Sequence, residues 1–64
     1  MKFHVPDMSC GHCTAAITKG VKGIDPGAEV LTDLDARIVT VTSQQSEEQV
    51  KTAINAAGYE ASPA

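Results

Sequence analysis

The 64-residue sequence contains no tryptophan and only two aromatic residues, Phe3 and Tyr59. Apolar residues make up 42% of the chain, and most of them are the smaller Ala, Val and Ile. A chain of this length can bury one thin core and has no room for a second. We therefore predict a single domain that covers residues 1–64.

Basic residues are also scarce, because the five Lys and Arg are outnumbered by eight Asp and Glu, which gives a net charge of -3. Nucleic-acid binding needs a concentrated basic face, so we expect no nucleic-acid partner. The sequence has no apolar run near the roughly 18 residues of a membrane span, and none that resembles a signal segment. We accordingly expect a cytoplasmic protein that does not insert into membranes and whose partners are proteins.

The sequence contains only two cysteines, Cys10 and Cys13, in the run Met-Ser-Cys-Gly-His-Cys at positions 8–13. Cytosolic thiols are kept reduced, so two cysteines favour a metal or redox site over a structural disulfide. A Cys-x-x-Cys loop can either form a reversible disulfide or hold one soft metal ion. The spacing alone leaves both uses open.

Hydrophobic periodicity predicts the first half of the fold. Phe3 and Val5 alternate with polar neighbours, which is typical of a strand with one buried face. Apolar residues at helical spacing predict a helix from Cys13 to near Lys22, where glycine and proline follow. Alternation over residues 28–34 and 38–42 predicts a hairpin with its turn at residues 35–37.

A capping box predicts where the second helix begins. The Ser46 hydroxyl and the Gln49 side chain can each bond the other residue's backbone amide. Gly58 supplies a left-handed residue to end the helix. The predicted buried stripe of this helix is Val50, Ala53, Ile54 and Ala57. We expect a short last strand at residues 59–61 and a frayed tail at residues 62–64.

The predicted order of elements is strand, helix, strand, strand, helix, strand. Each helix has one apolar stripe, so both helices pack on one face of a four-stranded antiparallel sheet. This is the α+β ferredoxin-like βαββαβ sandwich. Right-handed crossovers bring the cysteine loop, the turn around Ala36 and the junction of Gly58 with Tyr59 to one end. Tyr59 is therefore expected near the two thiols.

The sequence resembles the heavy-metal-associated domain family, and within it the bacterial copper chaperones that serve copper-transporting P-type ATPases. The resemblance covers essentially the whole chain and is carried by the loop at residues 8–13, the hairpin at residues 30–41 and the segment at residues 54–60. It implies that Cys10 and Cys13 bind the metal. It further implies that Met8 lies under the loop and that Tyr59 faces it.

Two thiolates without hard oxygen ligands suit Cu(I), a soft ion that tolerates low coordination. Zinc normally takes four ligands, and His12 could add a third ligand to the cysteine pair. His4 is predicted to face solvent, with no metal role. Met8 could donate a thioether sulfur, although packing is the simpler use for a methionine beside a loop. A helix that begins near Cys13 would stabilise thiolate charge.

The expected function is that of a cytosolic copper(I) chaperone, which passes Cu(I) by thiolate exchange to the metal-binding domain of a copper-transporting P-type ATPase. It is expected to be non-enzymatic, because no nucleophile, base and oxyanion donors are grouped in the sequence. Lys19 and Lys22 could assist docking to an acidic partner. The protein is expected to be monomeric without metal, and exposed copper could bridge two copies into a homodimer.

Other functions remain open at this point. A carrier or buffer of zinc, cadmium or mercury would use the same two cysteines. A small thiol oxidoreductase would use Cys10 as its nucleophile, although thioredoxin-like sites normally follow a tryptophan and need a larger fold. The chain could also be a domain excised from an ATPase, but its Met1 start and short tail after Glu60 favour a free-standing protein.

Overall fold

The computed structural model describes residues 1–9 and 11–64. In this part of the chain two helices and four strands follow in the predicted order. They are β1 (Lys2–His4), α1 (Gly11–Ile24), β2 (Glu29–Asp33), β3 (Ile38–Thr42), α2 (Glu47–Ala56) and β4 (Ser62–Pro63).

The strands form one antiparallel sheet in the order β2-β3-β1-β4. In the pairing register, β1 and β2 flank β3, so that Phe3 and Thr32 both lie opposite Val39. The side chains of Phe3, Val39 and Val41 are fully buried. The ferredoxin-like prediction is confirmed.

The core lies between the inner face of the sheet and the two helices. Helix α1 contributes Ile17 and Val21, which are four residues apart, and α2 contributes Val50 and Ile54 at the same spacing. All four side chains are fully buried, as the helical periodicity predicts. The remaining members of the core are Phe3, Val5, Met8, Ala28, Val39, Val41 and Ala61. No helix of the described residues is both long and apolar enough to cross a membrane.

The hairpin that joins β2 and β3 turns through residues 34–37. The Asp33 carboxylate accepts a hydrogen bond from the Ala36 amide at 3.1 Å, and Arg37 adopts a left-handed φ of 57°. The predicted alternation ran one residue too far, because Leu34 lies in the turn and is 39% exposed. The turn thus forms with Arg37 in a conformation that is uncommon for a residue with a side chain.

Helix α1 is longer than predicted at both ends. It begins at Gly11 and continues past Gly23 to Ile24, two residues beyond Lys22. The Asp25 amide still donates to the Val21 carbonyl at 3.1 Å, and the following Pro26 disfavours further helical backbone. Proline, rather than the glycine at position 23, therefore ends the helix.

The last strand lies at Ser62–Pro63 rather than at residues 59–61. Ser62 pairs with His4 and Pro63 pairs with Phe3, while the Ala64 amide donates to the Lys2 carbonyl at 3.0 Å. Proline is accepted because β4 is an edge strand, where a missing amide hydrogen leaves no partner unsatisfied. The prediction of a frayed tail was wrong.

Candidate metal centre

Met8 anchors the segment that leads into the cysteine loop. Its side chain is fully buried in the core, and its amide donates to the Val5 carbonyl at 3.0 Å across the turn at Pro6 and Asp7. The Val5 amide in turn donates to the Arg37 carbonyl at 2.8 Å. These bonds fasten the start of the loop to the β2–β3 turn.

Cys13 is the third residue of α1 and lies in its first turn. The residue is half-buried, and it packs against the edge of the hydrophobic core. Cys10 lies outside the described residues, so its proposed pairing with Cys13 stays a prediction. Gly11 and His12, the two residues between the cysteines, are both exposed.

Two threonine hydroxyls reinforce the first turns of α1. Thr14 Oγ1 donates to the Gly11 carbonyl at 2.8 Å, and Thr18 Oγ1 donates to the Thr14 carbonyl at 2.8 Å. The first amides of a helix have no acceptor within the helix, so the N-terminus of α1 favours negative charge beside it. A thiolate on Cys13 is placed to benefit from this charge distribution. The bond made by Thr14 was not predicted from the sequence, where the only signal was its position directly after the second cysteine.

Tyr59 is placed by the way α2 ends. Gly58 has a left-handed φ of 98°, as predicted, and its amide donates to the Asn55 carbonyl at 3.0 Å. The Tyr59 amide donates to the Ile54 carbonyl at 3.4 Å, which completes a Schellman motif. The half-buried Tyr59 side chain packs against the core.

The pairing register brings three segments to the same end of the sheet. His4, the last residue of β1, lies opposite Ile38 on β3 and Ser62 on β4. The chain therefore extends past the same end of the sheet in three places, after His4, before Ile38 and before Ser62. These are the approach to the cysteine loop, the β2–β3 turn and the segment that contains Tyr59, as the topology predicted.

The histidines occupy different surroundings. His12 is exposed in the first turn of α1, whereas His4 is exposed on the sheet, as predicted. Across residues 1–9 and 11–64, no group of three or more His, Cys, Asp or Glu side chains is placed to hold a metal ion. A third ligand role for His12 beside both cysteines stays a prediction, since Cys10 is outside these residues.

Residues 2–60 match the model of the heavy-metal-associated domain. The chain belongs to this family. Among solved structures, the chain is similar to metallochaperones. Copper chaperone Atx1 from Synechocystis PCC6803, in a trimeric form of a single-residue variant, is 44% identical with a TM-score of 0.94; the match covers 97% of this chain and 98% of the other.

Two further solved structures extend the comparison. The CopZ metallochaperone is 30% identical over 97% of each chain, with a TM-score of 0.86. A gold-binding protein is 38% identical, with a TM-score of 0.91 over 95% of this chain and 94% of the other. No curated protein matches the chain significantly. The fold is therefore that of Atx1-like and CopZ-like copper chaperones.

Proposed function

We propose that this protein is a cytosolic copper(I) chaperone that binds Cu(I) through Cys10 and Cys13. It passes the ion by thiolate exchange to the metal-binding domain of a copper-transporting P-type ATPase. The observation that carries the proposal is the position of Cys13 in the first turn of α1, at the end of the fold where the cysteine loop begins. The likeness to Atx1 and CopZ supports copper as the cargo.

The donor set fits a soft monovalent ion. Two cysteine sulfurs satisfy the low coordination number that Cu(I) accepts, whereas a tetrahedral zinc ion would need two more ligands. Met8 is buried in the core, which favours packing beneath the loop over donation of its sulfur. The helix N-terminus offsets part of the negative charge of a two-thiolate copper complex.

Transfer requires a thiolate of the partner to reach the ion. The partner sulfur adds to Cu(I), a three-coordinate bridge forms, and one cysteine sulfur of this chain leaves as the thiolate. A second exchange completes the transfer, and copper stays monovalent throughout. Exposure of Gly11 and His12 leaves the approach beside Cys13 open to a partner. Tyr59 is proposed to shield the site from one side, and no catalytic step is involved.

The first prediction concerns the two proposed ligands. Cys10→Ser or Cys13→Ser should lower Cu(I) affinity by at least about 100-fold, because each replacement removes a soft thiolate and leaves a hydroxyl that binds Cu(I) poorly. Competition of the reduced protein with bathocuproine for Cu(I) measures this loss. Ser9→Ala is the matched control, since it alters an exposed hydroxyl within the loop that is not a proposed ligand, and it should retain wild-type affinity.

Wild-type copper affinity in both cysteine variants would contradict the proposal. Competition between Cu(I) and Zn(II) distinguishes a copper chaperone from a zinc carrier, because tighter binding of Zn(II) than Cu(I) would assign the site to the harder metal.

His12→Asn tests whether His12 is a third ligand. Unchanged X-ray absorption distances for bound copper would leave the two sulfurs as the ligands. Direct transfer is tested by mixing the copper-loaded protein with an isolated ATPase metal-binding domain. A chelator present in the mixture captures any copper that is released into solution.

A further inference from the structure

The peptide that joins Gly11 to His12 is the middle one of the three peptides between Cys10 and Cys13. Both residues are exposed, and a Cβ added at Gly11 would meet no atom within 4 Å. Glycine also has more backbone freedom than any other residue. The surrounding fold therefore packs little against this part of the cysteine loop.

A side-chain hydrogen bond restrains this peptide instead. Thr14 Oγ1 donates to the carbonyl of Gly11, three residues earlier, at 2.8 Å. The α-helical pattern offers the same carbonyl one donor, the amide of the residue four positions later. The Thr14 hydroxyl adds a second donor, so it opposes rotation of the Gly11–His12 peptide away from the helical conformation.

The next threonine makes a comparable bond outside the cysteine loop. Thr18 Oγ1 donates to the Thr14 carbonyl, also at 2.8 Å, and both threonines are half-buried on α1. The peptide that Thr18 restrains follows Cys13, so it does not lie between the two proposed ligands. One helix thus carries two hydroxyl bonds of equal length, of which only the first acts on the cysteine loop.

We propose that Thr14 is a positioning residue of the cysteine loop. Its hydroxyl holds the Gly11–His12 peptide, and with it the backbone that joins the two cysteines, in the conformation that accepts Cu(I). This role rests on the proposed function, in which Cys10 and Cys13 are the ligands and Thr14 is not. A loop that is ordered before the ion arrives loses less conformational freedom on binding, so its apparent affinity is higher.

The experiment removes each hydroxyl in turn. Thr14→Val keeps the branched shape and has a similar helix propensity, so the lost bond is the main change. Competition of the reduced protein with bathocuproine should show a Cu(I) affinity that is lower by about two- to tenfold, the range expected for one hydrogen bond. Thr14→Ser restores a hydroxyl and should recover most of the loss, whereas Thr18→Val should retain wild-type affinity.

Alanine at position 11 restrains the same peptide by another route. The backbone of Gly11 is not left-handed and a Cβ has room there, so Gly11→Ala reduces the freedom of the unbound loop without a clash. Added to Thr14→Val, it should raise Cu(I) affinity above that of Thr14→Val alone. No such gain would show that freedom of this peptide is not what the hydroxyl limits, and would overturn the proposal.

A measurement on copper-free protein separates this proposal from the proposed function. The His12 nitrogen belongs to the restrained peptide, so its NMR order parameter should fall in Thr14→Val and stay unchanged in Thr18→Val. A wild-type chain that binds no Cu(I) would refute the proposed function, while a lower order parameter in Thr14→Val would still show that Thr14 positions the loop. Unchanged order at His12, wild-type Cu(I) affinity in Thr14→Val, or equal losses in the two valine variants would overturn the proposal.

Discussion

At the residue scale, one carboxylate links two loops at the end of α1. Asp25 Oδ2 accepts from the Ser43 hydroxyl at 2.6 Å and from the Gln44 amide at 3.3 Å, while Oδ1 accepts from the Gly27 amide at 3.2 Å. The Ser43 hydroxyl bond, followed by the Gln44 amide, holds the pKa of Asp25 below its usual value of 3.8, against a smaller opposing effect of desolvation. The charged carboxylate is thus the form that the fold favours.

The pH dependence of stability follows from that direction. A pKa lowered on folding stabilises the native state above pH 3.8, and this stabilisation is lost as the pH falls through the folded-state pKa. Asp25→Asn should therefore lower the free energy of unfolding at pH 7, and the difference from the wild type should shrink below pH 4. Urea unfolding followed by circular dichroism at several pH values measures this.

Asp35→Asn is the control for Asp25→Asn, because it removes an equal charge from the exposed hairpin turn. An Asp25→Asn deficit that stays constant from pH 7 to pH 3 would show that the carboxylate charge is not what stabilises the two loops.

Single residues differed in how far the sequence revealed them. Ser46 and Gln49 form the predicted capping box, with bonds of 3.1 and 3.2 Å, because that motif depends only on neighbours within four residues. Gly58 was equally predictable from its place after a helical stripe. The bond between Asp25 and Ser43 joins residues 18 positions apart, and only the packed fold brings them together.

At the element scale, helix α1 packs tightly against α2 at Gly20. A Cβ added there would lie 3.2 Å from the Ala53 carbonyl oxygen on α2 and 3.5 Å from the Ala57 Cβ. A Cβ at Gly23, three residues further along the same helix, would meet no atom within 4 Å. Alanine at Gly23 therefore reports helix propensity alone, whereas alanine at Gly20 reports helix propensity together with the packing of α1 against α2.

Gly23→Ala should raise the free energy of unfolding by about 0.5 to 1 kcal/mol, through helix propensity alone. Gly20→Ala gains the same propensity but crowds the backbone of α2, so it should be less stable than Gly23→Ala by at least about 1 kcal/mol. Chemical denaturation of the two variants beside the wild type gives both values. Equal gains at the two glycines would show that α2 moves aside without cost.

Element boundaries were the least predictable part of the fold. Gly23, Pro26 and Gly27 together were predicted to stop the first helix near Lys22. The helix passes through Gly23, whose backbone needs no left-handed conformation, and ends at Ile24, before Pro26. The last strand was placed three residues early, since nothing local shows that Ser62 is the residue aligned with His4. Pairing partners across the sheet set that position.

At the scale of the whole molecule, the proposed cargo should stabilise a fold with a small core. A ligand that binds only the folded state at 1,000 times its dissociation constant contributes about 4 kcal/mol. Loading with Cu(I) under anaerobic conditions should therefore raise the thermal midpoint by at least about 10 °C, given the small unfolding entropy of a chain of this length. Scanning calorimetry of apo and loaded protein measures the shift.

The Cys13→Ser variant serves as the control for this shift, and its midpoint should rise by at most about a third as much, because a roughly 100-fold weaker site sees only about 10 times its dissociation constant at the same copper concentration. A wild-type midpoint that copper leaves unchanged, while zinc raises it, would contradict copper as the cargo and leave the fold assignment intact.

The sequence predicted the fold and the convergence at one end of the sheet because alternation, helical spacing and crossover handedness act together. Placement of Tyr59 beyond the end of β1 follows from that topology, and the strand register agrees with it. The Thr14 bond to the Gly11 carbonyl was not predicted, because a threonine hydroxyl in a helix has several acceptors in reach. The paired geometry of Cys10 and Cys13 stays a prediction.

The Schellman turn at Gly58 has a consequence for how this molecule can diversify. Backbone bonds to Asn55 and Ile54 fix where residue 59 starts, and none of them involves the side chain at 59. A substitution at position 59 therefore leaves the backbone turn in place, and its effect falls on the packing of this side chain against the core. Gly58, which is not itself a proposed ligand, thus sets where the side chain at position 59 begins, whichever residue stands there.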